Sequence, residues 1–312
     1  MKISTKHMTA LYNLSSIQFN ALEMHSFLNL INIISLQLEL LQSEFDHRHL
    51  IKPLLDQTKE LTVLIKKRLH REYLPDHIQK LEDSVLDLIN ELEKTHTDDS
   101  DFELAIKEAR EIFEDVFKVM EVRIAELTDY IKKPSKWLFY TKTEFEQDFN
   151  LFFHAVEKNS RGKYRIVHNI AEQEPTDYLI RFEINSELDG ERLAMPIIFK
   201  DVIRDLIANA RKYTPPGGTI SILIHQTKKS IKFTVSDDGV GIPANEMDHV
   251  FEYGYRGSNV KDRPTMGGGF GLTKALYTTV QFNGDMWIDS ELNNGTSITI
   301  ELPVPDKLLI QE

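Results

Sequence analysis

The chain has 312 residues, enough for about two domains, and 41% of them are hydrophobic, which is enough for folded cores rather than disorder. With 37 basic and 49 acidic residues, its net charge of -12 argues against binding to nucleic acid or to an anionic membrane. There is no cysteine, which excludes disulfides, thiolate catalysis and cysteine-bound metals. No signal core or uninterrupted apolar span is evident, so we expect a cytoplasmic protein without a membrane span.

Apolar stripes predict a helical N-terminal part. Between residues 8 and 45 the apolar residues recur at alternating steps of three and four, the pattern of a helix that packs lengthwise against other helices. Ser100 and Glu103 have the spacing of a capping box at a helix start. Further helices are predicted over residues 53–69, 77–93 and 100–131.

The first of these helices also carries a polar stripe. His25, Asn29 and Asn32 are spaced at i, i+4 and i+7, which places all three on one helix face. We therefore expect the histidine to be reachable from solvent.

The sequence period changes after the basic and proline-containing stretch at residues 132–135. We place the domain boundary there, which gives predicted domains at residues 1–134 and 135–312. Thr143 and Glu146 predict a capped helix, and alternation then predicts short antiparallel strands interleaved with helices, an α/β sandwich with its sheet covered on one face. The predicted strands cover residues 178–184, 220–224, 231–235 and 296–302.

One helix of the second part has the side chains of a nucleotide site. The helix is predicted to open at Pro196, and it carries Asp201, Asp205 and Asn209 one turn apart on one stripe. An amide oxygen such as that of Asn209 suits a Mg²⁺ ion that also holds phosphate oxygens. Lys212, just beyond it, could offset phosphate charge.

Two glycine-containing stretches complete this predicted site. Asp237 follows a predicted strand, and its carboxylate can accept a hydrogen bond from the exocyclic amine of adenine. Glycines at 267, 269 and 271 precede a helical run, where free N–H groups and the helix dipole favour phosphate. The polar residues 258–266 between them are interpreted as a lid.

Together these ordered motifs resemble the catalytic ATP-binding domain of sensor histidine kinases, members of the GHKL ATPase superfamily. The resemblance covers about the C-terminal half of the chain, through residues 205–213, 237–243, 250–257, 267–272 and 295–303. It implies an α + α/β fold, in which an N-terminal antiparallel helical hairpin or bundle is followed by a GHKL (Bergerat-type) α/β sandwich.

The resemblance also implies roles for individual residues toward ATP and Mg²⁺. Asn209 would be the Mg²⁺ ligand, and Asp237 the adenine-binding acid. The other implied ATP-binding residues form the pocket floor, the phosphate-side loop and the flanking motif positions: Gly239 and Gly241; Gly267, Gly269 and Gly271; and Lys212, Tyr213, Arg256 and Leu272.

The same resemblance gives the first helix a function. Histidine kinases carry a phosphoacceptor histidine on a helical hairpin that dimerises, and residues 25–34 are similar to that motif. This implies that His25 accepts the phosphoryl group, that the helical region forms a homodimer, and that the partner is a response-regulator receiver domain.

Ser26 departs from the family pattern. The family usually has an acid there, thought to accept the imidazole proton, and general-base help is worth about 10² to 10⁴ in rate. Asn29 matches the position where the family orients water to dephosphorylate a partner. A kinase-impaired phosphatase or phosphotransfer protein, or an ATP-binding signalling scaffold, therefore remains an alternative.

A third interpretation is an ATPase of the gyrase or mismatch-repair type. Those enzymes activate water with an acid one turn before the Mg²⁺-binding asparagine, a place that Asp205 occupies here. They also need a transducer domain after the ATPase fold, so we rank this interpretation last. The sequence leaves open the input signal, the response regulator, the helix that pairs with the His25 helix, and whether phosphorylation occurs in cis or in trans.

Overall fold

The chain forms two compact units. The computed structural model describes residues 2–4, 15, 18, 22, 24–44, 48–66, 73–95, 100–158, 160, 162–261 and 268–309. One unit is Ser15–Thr128, and the other combines Met1–Leu14 with Asp129–Glu312. The division at residue 134 stays a prediction.

The Ser15–Thr128 unit is helical. Four helices run along it and the last continues to Lys132: α1 (His25–Glu44), α2 (Arg48–Lys66), α3 (Leu74–Thr95) and α4 (Ser100–Lys132). Helix α1 packs against α2, and α2 against α3. The Ser35 hydroxyl donates to the Thr58 hydroxyl across α1 and α2 at 2.9 Å. The α1 stripe is buried, at Ile31, Ile34 and Leu38. Helix α2 is thus the neighbour of the His25 helix within this unit.

The second unit alternates strands and helices. Its strands are β1 (Lys2–Ser4), β2 (Trp137–Tyr140), β3 (Ile166–Val167), β4 (Tyr178–Ser186), β5 (Leu193–Pro196), β6 (Thr219–Gln226), β7 (Ser230–Asp237), β8 (Asp285–Ser290) and β9 (Thr296–Pro303). Its helices are α5 (Lys142–Lys158), α6 (Phe199–Tyr213), α7 (Gly271–Gln281) and α8 (Asp306–Leu309).

Within the described residues, seven strands form one mixed sheet. Their order is β1-β8-β9-β7-β6-β4-β3, and β2 pairs with β5 in a separate two-stranded sheet. The predicted antiparallel arrangement is wrong for β3 with β4 and for β4 with β6, which pair in parallel. Parallel pairing needs a long crossover, and β5 with α6 supplies it between β4 and β6.

The core lies between this sheet and helices α5, α6 and α7. Alternate residues of the central strands are buried, including Ile222, Phe233 and Ile300, and they pack with Phe149 and Leu206 from the helices. Their neighbours along each strand are less buried, as expected for a sheet covered on one face. The predicted fold class, a helical region followed by a GHKL-type α/β sandwich, is confirmed.

The capping box of α5 lies two residues upstream of the predicted one. The backbone N–H of Thr141 donates to Glu144 Oε2 at 2.8 Å, and the N–H of Glu144 donates to Thr141 Oγ1 at 3.2 Å. This reciprocal pair starts the helix at Lys142. The prediction that Thr143 and Glu146 form the box is therefore wrong.

Strand β1 lies at one edge of the large sheet. It pairs antiparallel with β8, with Lys2 opposite Asp289, Ile3 opposite Ile288 and Ser4 opposite Trp287. In the described part of the chain, none of the helices is both long and apolar enough to cross a membrane.

Candidate functional site

A deep cavity opens between α6, the end of β7, the segment after it and the start of α7. Its empty volume is about 710 Å³, which includes space open to solvent. The walls combine apolar side chains with a few polar ones: Leu206, Asn209, Ala210, Tyr213, Val235, Asp237, Gly241, Ile242, Val250, Tyr255, Arg256, Gly257, Asn259, Val260, Leu272, Thr296 and Ile298.

Asp237 provides a carboxylate among apolar walls. It is the last residue of β7, and its Oδ1 accepts a hydrogen bond from the Gly239 N–H at 2.9 Å. Burial raises the pKa of Asp237 to about 6, against the opposing effect of the backbone hydrogen bonds from Gly239 and Thr296. The carboxylate is therefore ionised at neutral pH and can accept a further hydrogen bond.

Gly241 shapes the cavity wall beside this carboxylate. Its φ of +63° lies in the left-handed region, and a Cβ there would collide with the carbonyl oxygen of Glu291. Glycine therefore lets the backbone lie against this neighbouring segment while lining the cavity.

Asn209, in the second half of α6, lies beside the first residue of α7. A Cβ on Gly271 would lie 2.6 Å from Asn209 Nδ2, so a larger residue at the start of α7 would displace the Asn209 amide. Among the described residues, no three or more His, Asp or Glu side chains converge as a metal site. The Asn209 amide oxygen is a ligand of the kind that suits a cation which also binds oxygens of a ligand.

Lys212 and Arg256 were both predicted to bind ligand, but only Arg256 lines the cavity. Arg256 lines the cavity, and its Nη2 donates to the Val260 carbonyl at 3.0 Å. Lys212 is half-buried and does not line the cavity. Burial, then the charges of Arg256 and Arg211, lower the pKa of Lys212 to about 8.

The remaining predicted ligand residues are distributed around the same cavity. Tyr213 and Leu272 line it. Of the described glycines, Gly239, Gly269 and Gly271 are adjacent to it without being part of its lining. Gly267 lies outside the described residues, as do residues 262–266 of the predicted lid.

Asp205, the predicted water-activating acid, is engaged elsewhere. Its Oδ2 contacts the ammonium of Lys274 at 2.8 Å, and the same ammonium contacts Asp201. All three side chains are almost fully buried. Asp205 does not line the cavity, and this pairing favours a structural role; a catalytic role remains a prediction.

Sequence reasoning missed Asn259, which lines the cavity. Its Nδ2 donates to the Gly241 carbonyl at 3.0 Å, and the preceding Ser258 donates its N–H to Glu246 Oε2 at 3.0 Å and its hydroxyl to the same carboxylate. These bonds fold the first residues of the predicted lid onto the cavity. The only sequence signal was the polarity of that stretch.

Residues 195–306 match the family model described as histidine kinase-, DNA gyrase B- and HSP90-like ATPases. This segment, called the ATPase domain below, is similar to that family. The cavity lies within the segment, and its walls combine apolar surface with a carboxylate, an amide and an arginine, a mixture typical of small-molecule sites.

The chain is also similar in sequence to sensor histidine kinases. Sensor histidine kinase RppB of Synechocystis is 37% identical over 103 residues, which is 33% of this chain and 23% of that protein. Sensor histidine kinase WalK of Bacillus subtilis is 36% identical over 123 residues, 39% of this chain and 19% of that protein. The chain thus spans less than a quarter of the length of either relative.

Solved structures of histidine kinases also match. The mycobacterial sensor histidine kinase MprB is 26% identical, with 40% of this chain and 83% of that chain covered and a TM-score of 0.32. The resemblance to sensor histidine kinases that the motifs predicted is confirmed by the family match and the sequence relatives.

His25 lies outside the ATPase domain, at the first position of α1. The side chain is half-buried, and its Nε2 lies 3.2 Å from Asn29 Nδ2 one turn later. An amide NH₂ can only donate, so this contact is a hydrogen bond in the tautomer whose ring proton is on Nδ1. Ser26 beside it is 2% exposed.

Proposed function

We propose that the protein is a sensor histidine kinase that binds ATP with Mg²⁺ and phosphorylates His25. The observation that carries this proposal is the cavity of the ATPase domain, with an ionisable carboxylate at Asp237 and an amide at Asn209 in one continuous pocket. A second observation supports it: the helical unit has a half-buried histidine at the start of a long helix, with the Asn29 amide one turn later.

Within the cavity, each end would bind a different part of the nucleotide. The Asp237 carboxylate accepts a hydrogen bond from the adenine amine, and the apolar walls contact the ring faces. Asn209 contributes an oxygen to Mg²⁺, and the N-terminus of α7 and Arg256 bind the phosphates. The bound metal would neutralise phosphate charge and orient the triphosphate for transfer.

The transfer step then uses the imidazole of His25. The lone pair of Nε2 attacks the γ-phosphorus, the bond from that phosphorus to the β–γ bridging oxygen breaks, and ADP leaves with the electron pair. In the tautomer whose Nε2 accepts from the Asn29 amide, that hydrogen bond must break before the attack, because it occupies the same lone pair. The proton on Nδ1 stays on the ring until a base removes it.

The partners follow from the same proposal. The phosphoryl group would pass from His25 to an aspartate of a separate response-regulator receiver domain, and the helical unit would form a homodimer. A cytoplasmic location also stays a prediction.

A second candidate is a kinase-impaired protein that acts mainly as a phosphatase or as an ATP-binding signalling scaffold. The observation that favours it is the environment of His25, where the next residue is a buried serine and the neighbouring side chain is the amide of Asn29. An amide can orient water, but it cannot accept the imidazole proton.

Labelling with γ-labelled ATP and Mg²⁺ tests the proposal. We expect acid-labile label in the wild type and its loss in His25→Gln, because the amide has no nucleophilic ring nitrogen. His49→Gln is a matched control, since His49 is an exposed histidine of α2.

Three outcomes distinguish the candidates. Label that persists in His25→Gln contradicts the assignment of His25. Tight ATP binding without label in the wild type favours the phosphatase or scaffold. Failure of the wild type to bind Mg·ATP rejects the ATP site itself.

A further inference from the structure

Helices α6 and α7 are joined by three buried charged side chains. The Lys274 ammonium contacts the carboxylates of Asp201 and Asp205, with the Asp205 Oδ2 at 2.8 Å. Lys274, Asp201 and Asp205 are 3%, 7% and 8% exposed. This cluster is distinct from the nucleotide cavity, because none of the three residues lines it.

Stability alone is a poor explanation for such a cluster. Taking charges out of water is costly, and apolar replacements of buried ion pairs are often neutral or stabilising. Burial alone would lower the pKa of Lys274, but attraction by Asp201 and Asp205 outweighs it and raises that pKa. The ammonium is therefore charged throughout the neutral range, so its attraction to both carboxylates persists there.

The cluster lies one helical turn from the place where the Asn209 amide meets Gly271. Asp205 precedes Asn209 by four residues, about 6 Å along α6, and Lys274 follows Gly271 by three residues, about 4.5 Å along α7. One turn away from the charged cluster, a Cβ on Gly271 would lie 2.6 Å from Asn209 Nδ2. A shift of α7 along or around α6 would therefore move the glycine relative to the amide.

We propose that Lys274 is a positioning residue, which through Asp201 and Asp205 sets the distance between the Asn209 amide and the N-terminus of α7. This proposal rests on the proposed ATP·Mg²⁺ site. In it, the Lys274 cluster holds in place the end of the site that binds the metal and the phosphates. The two carboxylates bind one ammonium from successive turns of α6, so they fix both the separation and the rotation of the two helices. The adenine end, built on β7, does not depend on this contact.

The same helix supplies a matched control. On another face of α6, the buried Lys200 pairs with Asp148 of α5 and lies over the Tyr140 ring at 4.1 Å. This pair is also a lysine–aspartate contact to a neighbouring helix, but α5 contributes no residue to the cavity lining.

The test compares Mg·ATP with adenosine as probes of the full-length protein. The variant Lys274→Met/Asp201→Asn/Asp205→Asn removes all three charges together, so that no buried charge is left without its partner. We expect it to bind Mg·ATP about tenfold more weakly or worse, since small misplacements of binding groups can cost about 10²-fold, while adenosine affinity stays within about twofold. Gly271→Ala, which presses on the Asn209 amide directly, should show the same selective loss.

The control variant Lys200→Met/Asp148→Asn should leave both affinities within about twofold. Unchanged Mg·ATP affinity in the folded triple variant would overturn the proposal, as would an equal loss of Mg·ATP and adenosine. A wild-type protein that binds no Mg·ATP would instead reject the proposed function.

Single variants keep the proposal testable if the triple variant does not fold. Asp201→Asn and Asp205→Asn each leave Lys274 one carboxylate. We expect the larger selective loss from Asp205→Asn, because Asp205 is one turn from Asn209 and Asp201 is two. Equal effects on Mg·ATP binding, or none, would contradict the proposal.

Discussion

The carboxylate of Asp237 is the ionisable group of the cavity that titrates closest to physiological pH. Burial raises its pKa to about 6 from an ordinary value of 3.8. For an acid with a raised folded-state pKa, the protonated form favours folding. Its contribution to stability is thus full below pH 3.8 and is lost as the pH rises through about 6. Ligand binding has the opposite requirement, because the adenine amine needs an ionised acceptor.

We therefore expect adenosine affinity to fall as the pH falls through about 6. The dissociation constant should rise about tenfold between pH 7 and pH 5, because one proton must leave Asp237 before binding. Adenosine is the suitable probe, since it has no phosphate that titrates in this range. Calorimetry across this pH range measures the effect.

Asp237→Asn is the control for this prediction. It should bind adenosine more weakly at pH 7, and its affinity should not change between pH 7 and pH 5. A wild-type affinity that is flat over this range would show that Asp237 does not bind the adenine.

At the scale of elements, the spacing of apolar residues predicts those helices and strands that have one buried face. The long apolar stripes predicted the positions of α2, α3 and α4, and alternation predicted β4, β6, β7 and β9. Strand β5 was missed because Leu193–Pro196 is buried at every residue and shows no alternation. Strand β1 was missed because its partner β8 is far away in the sequence.

For the site, as for the elements, local patterns predicted some residues and missed contacts between distant parts of the chain. Asn209 and Asp237 follow recognisable local patterns, and both line the cavity. The Lys274 cluster joins residues about 70 positions apart, so no local pattern could indicate it. The start of α5 was ambiguous, since Thr141 and Thr143 are each followed three residues later by a glutamate.

The two candidate capping residues give a direct test. Thr141→Ala should lower the free energy of unfolding of the unit that contains α5 by about 1 kcal/mol, because a helix N–H loses its side-chain acceptor. Thr143→Ala, an exposed position in the first turn, should change it by less than about 0.5 kcal/mol. Urea unfolding measures both, and a larger effect at Thr143 would contradict the observed capping box.

At the scale of the whole molecule, the cavity belongs to one unit. Every residue that lines it lies between Leu206 and Ile298, inside the segment that starts at Asp129. In the proposed function, nucleotide binding and phosphoacceptance would thus belong to separate units.

A fragment of residues 129–312 should therefore bind Mg·ATP without the helical unit. We expect its dissociation constant to match that of the full chain within about twofold, as for independent sites. Calorimetry on both proteins measures this, with Asn209→Ala in the fragment as the control for specific binding. A fragment that folds but binds much more weakly would show that the helical unit contributes to the site.

Such a fragment would lose β1, because that strand is formed by Lys2–Ser4. The outer edge of β8 would then present unpaired backbone N–H and carbonyl groups, which can be paired by a strand from a second molecule. The isolated domain should therefore self-associate with increasing concentration, and a dimer observed for it would report a bare sheet edge rather than the homodimer proposed for the helical unit.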